Sequence, residues 1–248
     1  MIKVAVCGAN GKMGKTVTNA VNSAEDMDLV AKIDISGGEY NSIKEASQNT
    51  DIDVLIDFTQ PCSIFENAKY CLNNGINIVI GTTGLKDEQI DELKILSNSK
   101  KTSCLIAPNF STGAVLMMMF SKMAAKYFDN AEIIELHHNQ KKDAPSGTAI
   151  KTAQMMADVN DNFALGNCSE TETITGARGG TSYNNIHIHS VRMPGFMASQ
   201  EVIFGSLGQT LKIRHDSTDR ECYMPGVLMA VRYVIKNGGF VYGLDNIL

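Results

Sequence analysis

The densest group of chemistry-bearing side chains in this 248-residue chain is Glu135-Leu136-His137-His138-Asn139-Gln140-Lys141-Lys142-Asp143-Ala144-Pro145-Ser146-Gly147-Thr148-Ala149. Histidine exchanges a proton near neutral pH, so a His at the end of a strand suits general acid work. Lys141 follows as a cation, and Pro145-Ser146-Gly147-Thr148 reads as the start of a helix, whose first-turn N–H groups and hydroxyls suit a carboxylate. The His137-His138 pair also raises metal binding. Adjacent strand residues face opposite sides, however, and make a poor chelate without further ligands. His187 and His189 share a face and are a better pair geometrically, but no acidic or thiol ligand accompanies them in sequence. They are read as surface or core histidines, and no metal site is expected.

A second group begins at Gly8-Ala9-Asn10-Gly11-Lys12-Met13-Gly14, after an apolar run and at the start of an amphipathic one. Glycines there let the backbone turn sharply and approach a pyrophosphate, whose charge meets backbone N–H groups and the helix dipole. Asp34 lies twenty residues beyond Gly14, where an acid accepts hydrogen bonds from ribose hydroxyls. Ile35, rather than an arginine, follows it, which favours NADH over NADPH because a 2′-phosphate would meet a carboxylate without a guanidinium clamp. Lys12 is open to two readings, a cation for that phosphate or a solvated surface lysine, so use of both cofactors stays open. Gly81-Thr82-Thr83-Gly84 suits backbone contacts to a carboxamide. Pro108-Asn109-Phe110 either edges a ring pocket or caps the next helix. Nucleophilic catalysis lacks its parts: no cysteine sits in a motif with a base, and no G-x-S-x-G elbow occurs.

These residues need a scaffold, and the first half supplies a repeating one. Strand-like runs at 2–6, 29–33, 54–58, 76–80 and 103–107 alternate with helical stretches at 13–21, 63–72 and 87–96, the βαβ rhythm of a doubly wound parallel sheet. Several strand ends then carry turn or chemistry-capable residues, Gly8 and Asn10 after the first, Asp34 after the second, Thr59 after the third, Gly81 to Gly84 after the fourth and Pro108-Asn109 after the fifth, where ligands of such sheets bind. After about Phe110 the rhythm changes: a helix over 112–127, a strand over 132–138, a helix from near Ser146, and segments 185–191, 200–204 and 210–213 that look antiparallel. A last helix over 225–235 is expected to return to the first lobe.

The net charge of -5 disfavours nucleic acid as a partner, and no run of about 20 apolar residues predicts a membrane span. No signal peptide is read at Met1-Ile2-Lys3-Val4, and six scattered cysteines without a C-x-x-C pair read as reduced, mostly buried thiols. A cytoplasmic location is expected.

The segments Val6 to Gly14, Asp57-Phe58-Thr59, Gly81 to Gly84, Ala107-Pro108-Asn109-Phe110-Ser111 and Glu135 to Ala149 occur in an order that resembles the 4-hydroxy-tetrahydrodipicolinate (dihydrodipicolinate) reductase family. The resemblance implies an NAD(P)H-dependent oxidoreductase of the diaminopimelate route to lysine, acting on a small dicarboxylate. It implies an α/β architecture: a Rossmann-like doubly wound parallel sheet over 1–110 and 216–248, and a second α+β substrate and tetramerisation domain over 111–215 built on a mostly open sheet. A homotetramer is expected. Carried over by position, His137 is the proton donor and Lys141 its catalytic partner, which also holds a substrate carboxylate. His138, Gly147 and Thr148 take substrate-binding positions, with Ser146 beside them at the helix start. The cofactor set is Gly8, Asn10, Gly11, Lys12, Met13, Gly14, Asp34, Phe58, Gly81, Thr82, Thr83, Gly84, Pro108, Asn109 and Phe110. Lys12 stands where many members have arginine, Asp34-Ile35 where acid-Arg is frequent, and the resemblance thins after about Cys168. Two other readings compete. A different small-substrate dehydrogenase would need an active-site thiol or another Lys and Asp arrangement, and a redox-sensing NAD-binding protein would carry a DNA-binding helical pair; neither feature is found.

Overall fold

Strands buried on both faces write themselves as unbroken apolar runs, as Val54-Leu55-Ile56, Ile78-Val79-Ile80 and Cys104-Leu105-Ile106 do here. The computed structural model describes residues 1–164 and 168–248. It divides into two compact units, Met1–Thr112 with Arg220–Leu248, and Gly113–Asp219.

In the first unit, β1 (Ile2–Cys7), β2 (Met27–Ile33), β3 (Val54–Asp57), β4 (Asn77–Ile80) and β5 (Cys104–Ile106) alternate with α1 (Lys12–Ser23), α2 (Ile43–Asn49), α3 (Ile64–Asn73) and α4 (Asp87–Lys100). All the pairings in this sheet are parallel. Strand order is β2-β1-β3-β4-β5 with a sixth strand beyond β5. The winding reverses between β1 and β3, so the carboxyl ends of those two strands flank the topological switch point, where this class of sheet takes its ligand. Val4, Val6, Leu55, Ile56, Ile78 and Ile80 are fully buried in the sheet.

The second unit starts within α5 (Thr112–Ala124), then holds β6 (Asn130–His137), α6 (Gly147–Ala157), β7 (Gly180–Thr181), β8 (His187–Arg192), β9 (Ala198–Ser206) and β10 (Gln209–Ser217). Its sheet runs β10-β9-β6-β8-β7. The expectation of antiparallel pairing holds for β9 with β10, β6 with β9 and β7 with β8, and fails for β6 with β8, which are parallel. The reason is connectivity: α6 lies in the long link from β6 to β8, and such a crossover returns the chain in its original direction. Ile133, Ile188, Val202 and Phe204 pack with Ala149, Ala153 and Met156 of α6 on one face. β10 is longer than its apolar pattern suggests, because backbone pairing with β9 runs from Gln209 to Ser217 whereas most of its side chains are exposed.

The chain then returns to the first unit. α7 (Met224–Lys236) turns Val227, Ala230, Val231 and Val234 inward at helical spacing and packs by α1 and β4. Beyond it, β11 (Phe240–Tyr242) adds the sixth parallel strand, a feature the sequence reading lacks because three residues after a Gly-Gly stop carry too little periodicity to register. Of the six cysteines, Cys7, Cys71 and Cys104 are buried, whereas Cys62 and Cys168 are exposed and Cys222 is half-buried, fewer buried thiols than expected.

Where α7 crosses the segment before α5 there is no room for a side chain. A Cβ on Gly226 would lie 2.1 Å from the Phe110 carbonyl oxygen. Gly226→Ala should therefore cost about 1–3 kcal/mol through forced backbone shift, lowering the thermal midpoint by about 2–4 °C per kcal/mol in a calorimetric scan.

Candidate active site

At the end of β1 the backbone turns so tightly that only glycine fits. Gly8 has φ +79°, and a Cβ there would lie 2.4 Å from the Phe58 carbonyl oxygen. A Cβ on Gly14 would lie 2.0 Å from the Gly8 carbonyl oxygen, so α1 is pressed against the turn. Gly11 caps α1 with no side-chain acceptor, and no acid sits in the first turn, so the helix offers its first amides, from Lys12, Met13 and Gly14, to an anion. Lys12 is exposed and Met13 half-buried.

Asp34 is tied to this turn directly. Its Oδ2 accepts the Asn10 backbone N–H at 2.9 Å, and its Oδ1 accepts the Ser36 hydroxyl at 2.7 Å and backbone N–H at 2.9 Å. The Ser36 hydroxyl, then the backbone donors, hold the Asp34 carboxyl below the usual range, so it is ionised at neutral pH. The Asn10 amide donates to the Ser36 carbonyl at 2.9 Å and closes the two loops together.

At the ends of β3 and β4 a buried carboxylate organises the loops. Asp57 is fully buried, and its Oδ1 accepts the Thr59 backbone N–H at 3.0 Å and the Thr59 and Thr82 hydroxyls, each at 2.7 Å. Asn67 of α3 donates to Oδ2 at 2.9 Å. Thr82 is thus a buried loop anchor, whereas Thr83 and Gly84 stand exposed. Gly81 lies so near the Phe58 ring that a Cβ would come within 2.1 Å of it, and Phe58 in turn meets Phe110 with ring centroids 5.9 Å apart. Pro108 is exposed and Asn109 accepts the Ser111 N–H at 2.9 Å. Gly8, Gly11, Gly14, Asn10, Asp34, Phe58, Gly81, Thr82 and Phe110 are linked in one continuous set at the carboxyl ends of the strands. Turns that a Cβ would fill, an uncapped helix start and an ionised acid beside them fit a dinucleotide.

In the second unit Glu135 and His137 are two apart on β6 and share a face. Glu135 is fully buried, its Oε2 2.5 Å from His137 Nδ1. Arg192 of β8 is the register partner of His137 and grips Glu135 with two bonds, Nη1 to Oε2 at 2.8 Å and Nη2 to Oε1 at 2.6 Å. Burial by itself would push the Glu135 carboxyl up, but hydrogen bonds from His137, Arg192 and Ser190 outweigh it and hold the group down at about 2. The Ser146 backbone N–H donates to Glu135 Oε1 at 3.2 Å, and the Ser146 hydroxyl accepts the Ala149 N–H at 3.1 Å as the cap of α6. Ser146 is buried and so spent on structure, which leaves Gly147 and Thr148 as the first residues of the helix proper.

Lys141 Nζ forms two contacts of 2.8 Å with Asp143, whose side chain is 65% exposed. This pair holds the Asp143 carboxyl below its usual range. His138 is exposed and its Nδ1 accepts the Gln140 N–H at 3.2 Å. His187 Nδ1 lies 2.8 Å from the Arg178 carbonyl oxygen, and His189 Nε2 lies 2.7 Å from Glu132, an acid that β6 supplies and that local sequence does not reveal. Among the described residues no three His, Cys, Asp or Glu side chains are grouped to hold a metal ion.

Sequence reasoning assigned no part to Glu135, Arg192, Asp57 or Asp143. Glu135 carried a local signal, two residues from His137 on a strand. Arg192 carried none, since only the β6 to β8 register brings it there.

Because the folded-state pKa of Glu135 lies below its ordinary value of 4.5, its stabilisation is complete above 4.5 and drains as pH falls from there to about 2. Urea unfolding measured across that window should show the loss. Glu135→Gln should be less stable at pH 7 by about 3–5 kcal/mol, because it breaks a buried ion pair, and its profile should be flatter between those pH values.

The family model described as dihydrodipicolinate reductase, N-terminus, matches residues 2–110, and the one described as dihydrodipicolinate reductase, C-terminus, matches residues 113–248. A 4-hydroxy-tetrahydrodipicolinate reductase of Gloeothece citriformis is 47% identical, with 100% of this chain and 98% of that protein covered. One from Dictyoglomus turgidum is 49% identical over the same shares. The solved structure of dipicolinate-bound dihydrodipicolinate reductase from Paenisporosarcina sp. TG-14 superposes with a TM-score of 0.93 at 44% identity, covering all of both chains. The glycine turn with its ionised acid, the histidine backed by a buried carboxylate and these matches over both halves agree: the chain belongs to the dihydrodipicolinate reductase family, nicotinamide-dinucleotide-dependent oxidoreductases.

Proposed function

We propose that this chain reduces 4-hydroxy-tetrahydrodipicolinate to tetrahydrodipicolinate in the diaminopimelate route to lysine, with His137 as proton donor. The observation that carries the reading is His137 backed by the buried, ionised Glu135 at the start of a loop that also holds Lys141 and the first turn of α6. A bound NADH or NADPH supplies a hydride to one carbon of the conjugated ring imine that remains when the 4-hydroxyl leaves as water.

The chain's own residues do the rest. His137 delivers a proton to the adjacent ring carbon, and the carboxylate of Glu135 stabilises the charged imidazole that precedes delivery. Lys141 exchanges Asp143 for a ring carboxylate, and the released Asp143, whose side chain is 65% exposed, is taken up by water. The second carboxylate is met by the start of α6 at Gly147 and Thr148, with His138 beside it; Ser146 serves by shaping that start. The residues from Gly8 to Gly14, Asp34, Phe58, Gly81 to Gly84 and Pro108 to Phe110 hold the dinucleotide.

NADH is the favoured reductant. An ionised Asp34 opposes a 2′-phosphate, and Ile35, 93% exposed, stands where an arginine would offset it. The exposed Lys12 is the cation by which NADPH is also accepted. The first unit serves as the dinucleotide domain and the second as the substrate domain, whose open sheet face assembles a homotetramer. The cytoplasm is the setting for such a biosynthetic step, and no described helix is long and apolar enough to cross a membrane.

Nicotinamide oxidation with the freshly made condensation product of pyruvate and aspartate semialdehyde tests the reaction. His137→Ala and Lys141→Ala should each lower turnover by about 10² or more while cofactor affinity stays near wild type; near-normal turnover in both removes the mechanism. Asp34→Ala should weaken NADH binding more than NADPH binding in a titration of intrinsic nicotinamide fluorescence, and an unchanged ratio removes the ribose assignment.

A further inference from the structure

We infer that Glu135, anchored by Arg192, is a positioning residue that holds His137 with its proton on Nδ1, so that Nε2 is the atom that delivers the proton to substrate. The inference rests on the reading of His137 as proton donor and adds what decides which ring nitrogen does the work.

A histidine contact to a carboxylate has two possible donors, and the surroundings choose between them. Here the carboxylate is fully buried and both of its oxygens are engaged by Arg192, at 2.8 and 2.6 Å. A guanidinium is always charged, so a proton on Glu135 would leave it unmatched in the interior. Oε1 also accepts the Ser146 N–H at 3.2 Å. Surrounded by donors, and held at about 2, Glu135 has no proton to give, and Nδ1 at 2.5 Å must be the donor. The neutral ring then carries its lone pair on Nε2, and protonation adds the transferable proton there.

Arg192 is fixed in turn. Its Nη1 donates to its neighbour's carbonyl, on Val191, at 2.8 Å, and its Nη2 to the Asp143 carbonyl at 2.9 Å. One guanidinium thus ties together β6, β8 and the loop that carries Lys141. Through Glu135 it also sets the start of α6, so the proton donor and the anion-binding turn are registered by one carboxylate. His137 bonds Glu135 on its own strand, and its register partners are Arg192 on β8 and the uncharged Ala198 on β9.

The test reads the tautomer directly. In 15N-labelled full-length protein, with the His137 signals assigned by their loss in His137→Asn, neutral His137 should show a protonated Nδ1 and a bare Nε2. A proton on Nε2 instead overturns the inference, whatever the activity. In Glu135→Gln the preference for Nδ1–H should weaken, and kcat should fall about 10²-fold with the KM for NADH changed less than about twofold. Glu135→Asp should restore part of kcat. An unchanged tautomer and kcat within about threefold in Glu135→Gln overturn the positioning role. Should Glu135→Gln fail to fold, Arg192→Lys gives the same readings more weakly, and the wild-type tautomer decides by itself. A wild type that shows Nδ1–H yet does not oxidise NADH with the ring substrate sinks the proposed reaction and not the tautomer assignment.

Discussion

A carboxylate with no access to water, gripped by a guanidinium, is the interaction on which the second unit depends. Glu135 and Arg192 come from strands more than fifty residues apart in sequence, and their union ties β6 to β8 and both to the loop that follows His137. Such a pair is stable only when every charge is matched, because the desolvation of either alone costs several kcal/mol. The geometry meets most of that demand: the carboxylate takes bonds from Arg192, His137 and Ser146, and the two Nη groups of the guanidinium also reach backbone carbonyls, while its buried Nε has no partner. The same matching that keeps the charges inside holds a histidine and a helix start in fixed relation, so stability and chemistry share their contacts.

The first unit repeats the device with different partners. Asp57, also fully buried at the end of a strand, gathers Thr59, Thr82 and Asn67, and so fixes the loops after β3 and β4 beside the glycine turn. In both units a strand end, where the backbone ladder stops and amides would otherwise go unpaired, is finished by an acid that accepts from the loops. Steric closure complements it. The turn after β1 presses so close to Phe58 and to α1 that a Cβ at Gly8 or Gly14 is excluded.

The charges beside the glycine turn are set by the turn itself. Asp34 is ionised and bonded to the glycine turn itself through Asn10, so its position is set by the backbone of that turn. The position after it carries an exposed isoleucine, and the nearest basic side chain of the turn, Lys12, stands in solvent on a flexible stem.

By itself the sequence determined the alternation of the first unit, the place of its glycine turn and acid, and the His137 to Thr148 segment, because each is a local pattern: apolar runs for doubly covered strands, a fixed distance from turn to acid, a helix start after Pro145. It was silent where the signal was short or exposed, as in the three residues of β11 and the solvent-facing β10. Only the tertiary structure decided that β6 and β8 run parallel, that Arg192 stands across from His137, that Glu132 meets His189, and that Ser146 is spent on Glu135 and its own helix. Those are matters of register between strands distant along the chain, and register is set by which faces can be buried together, a condition no local spacing records.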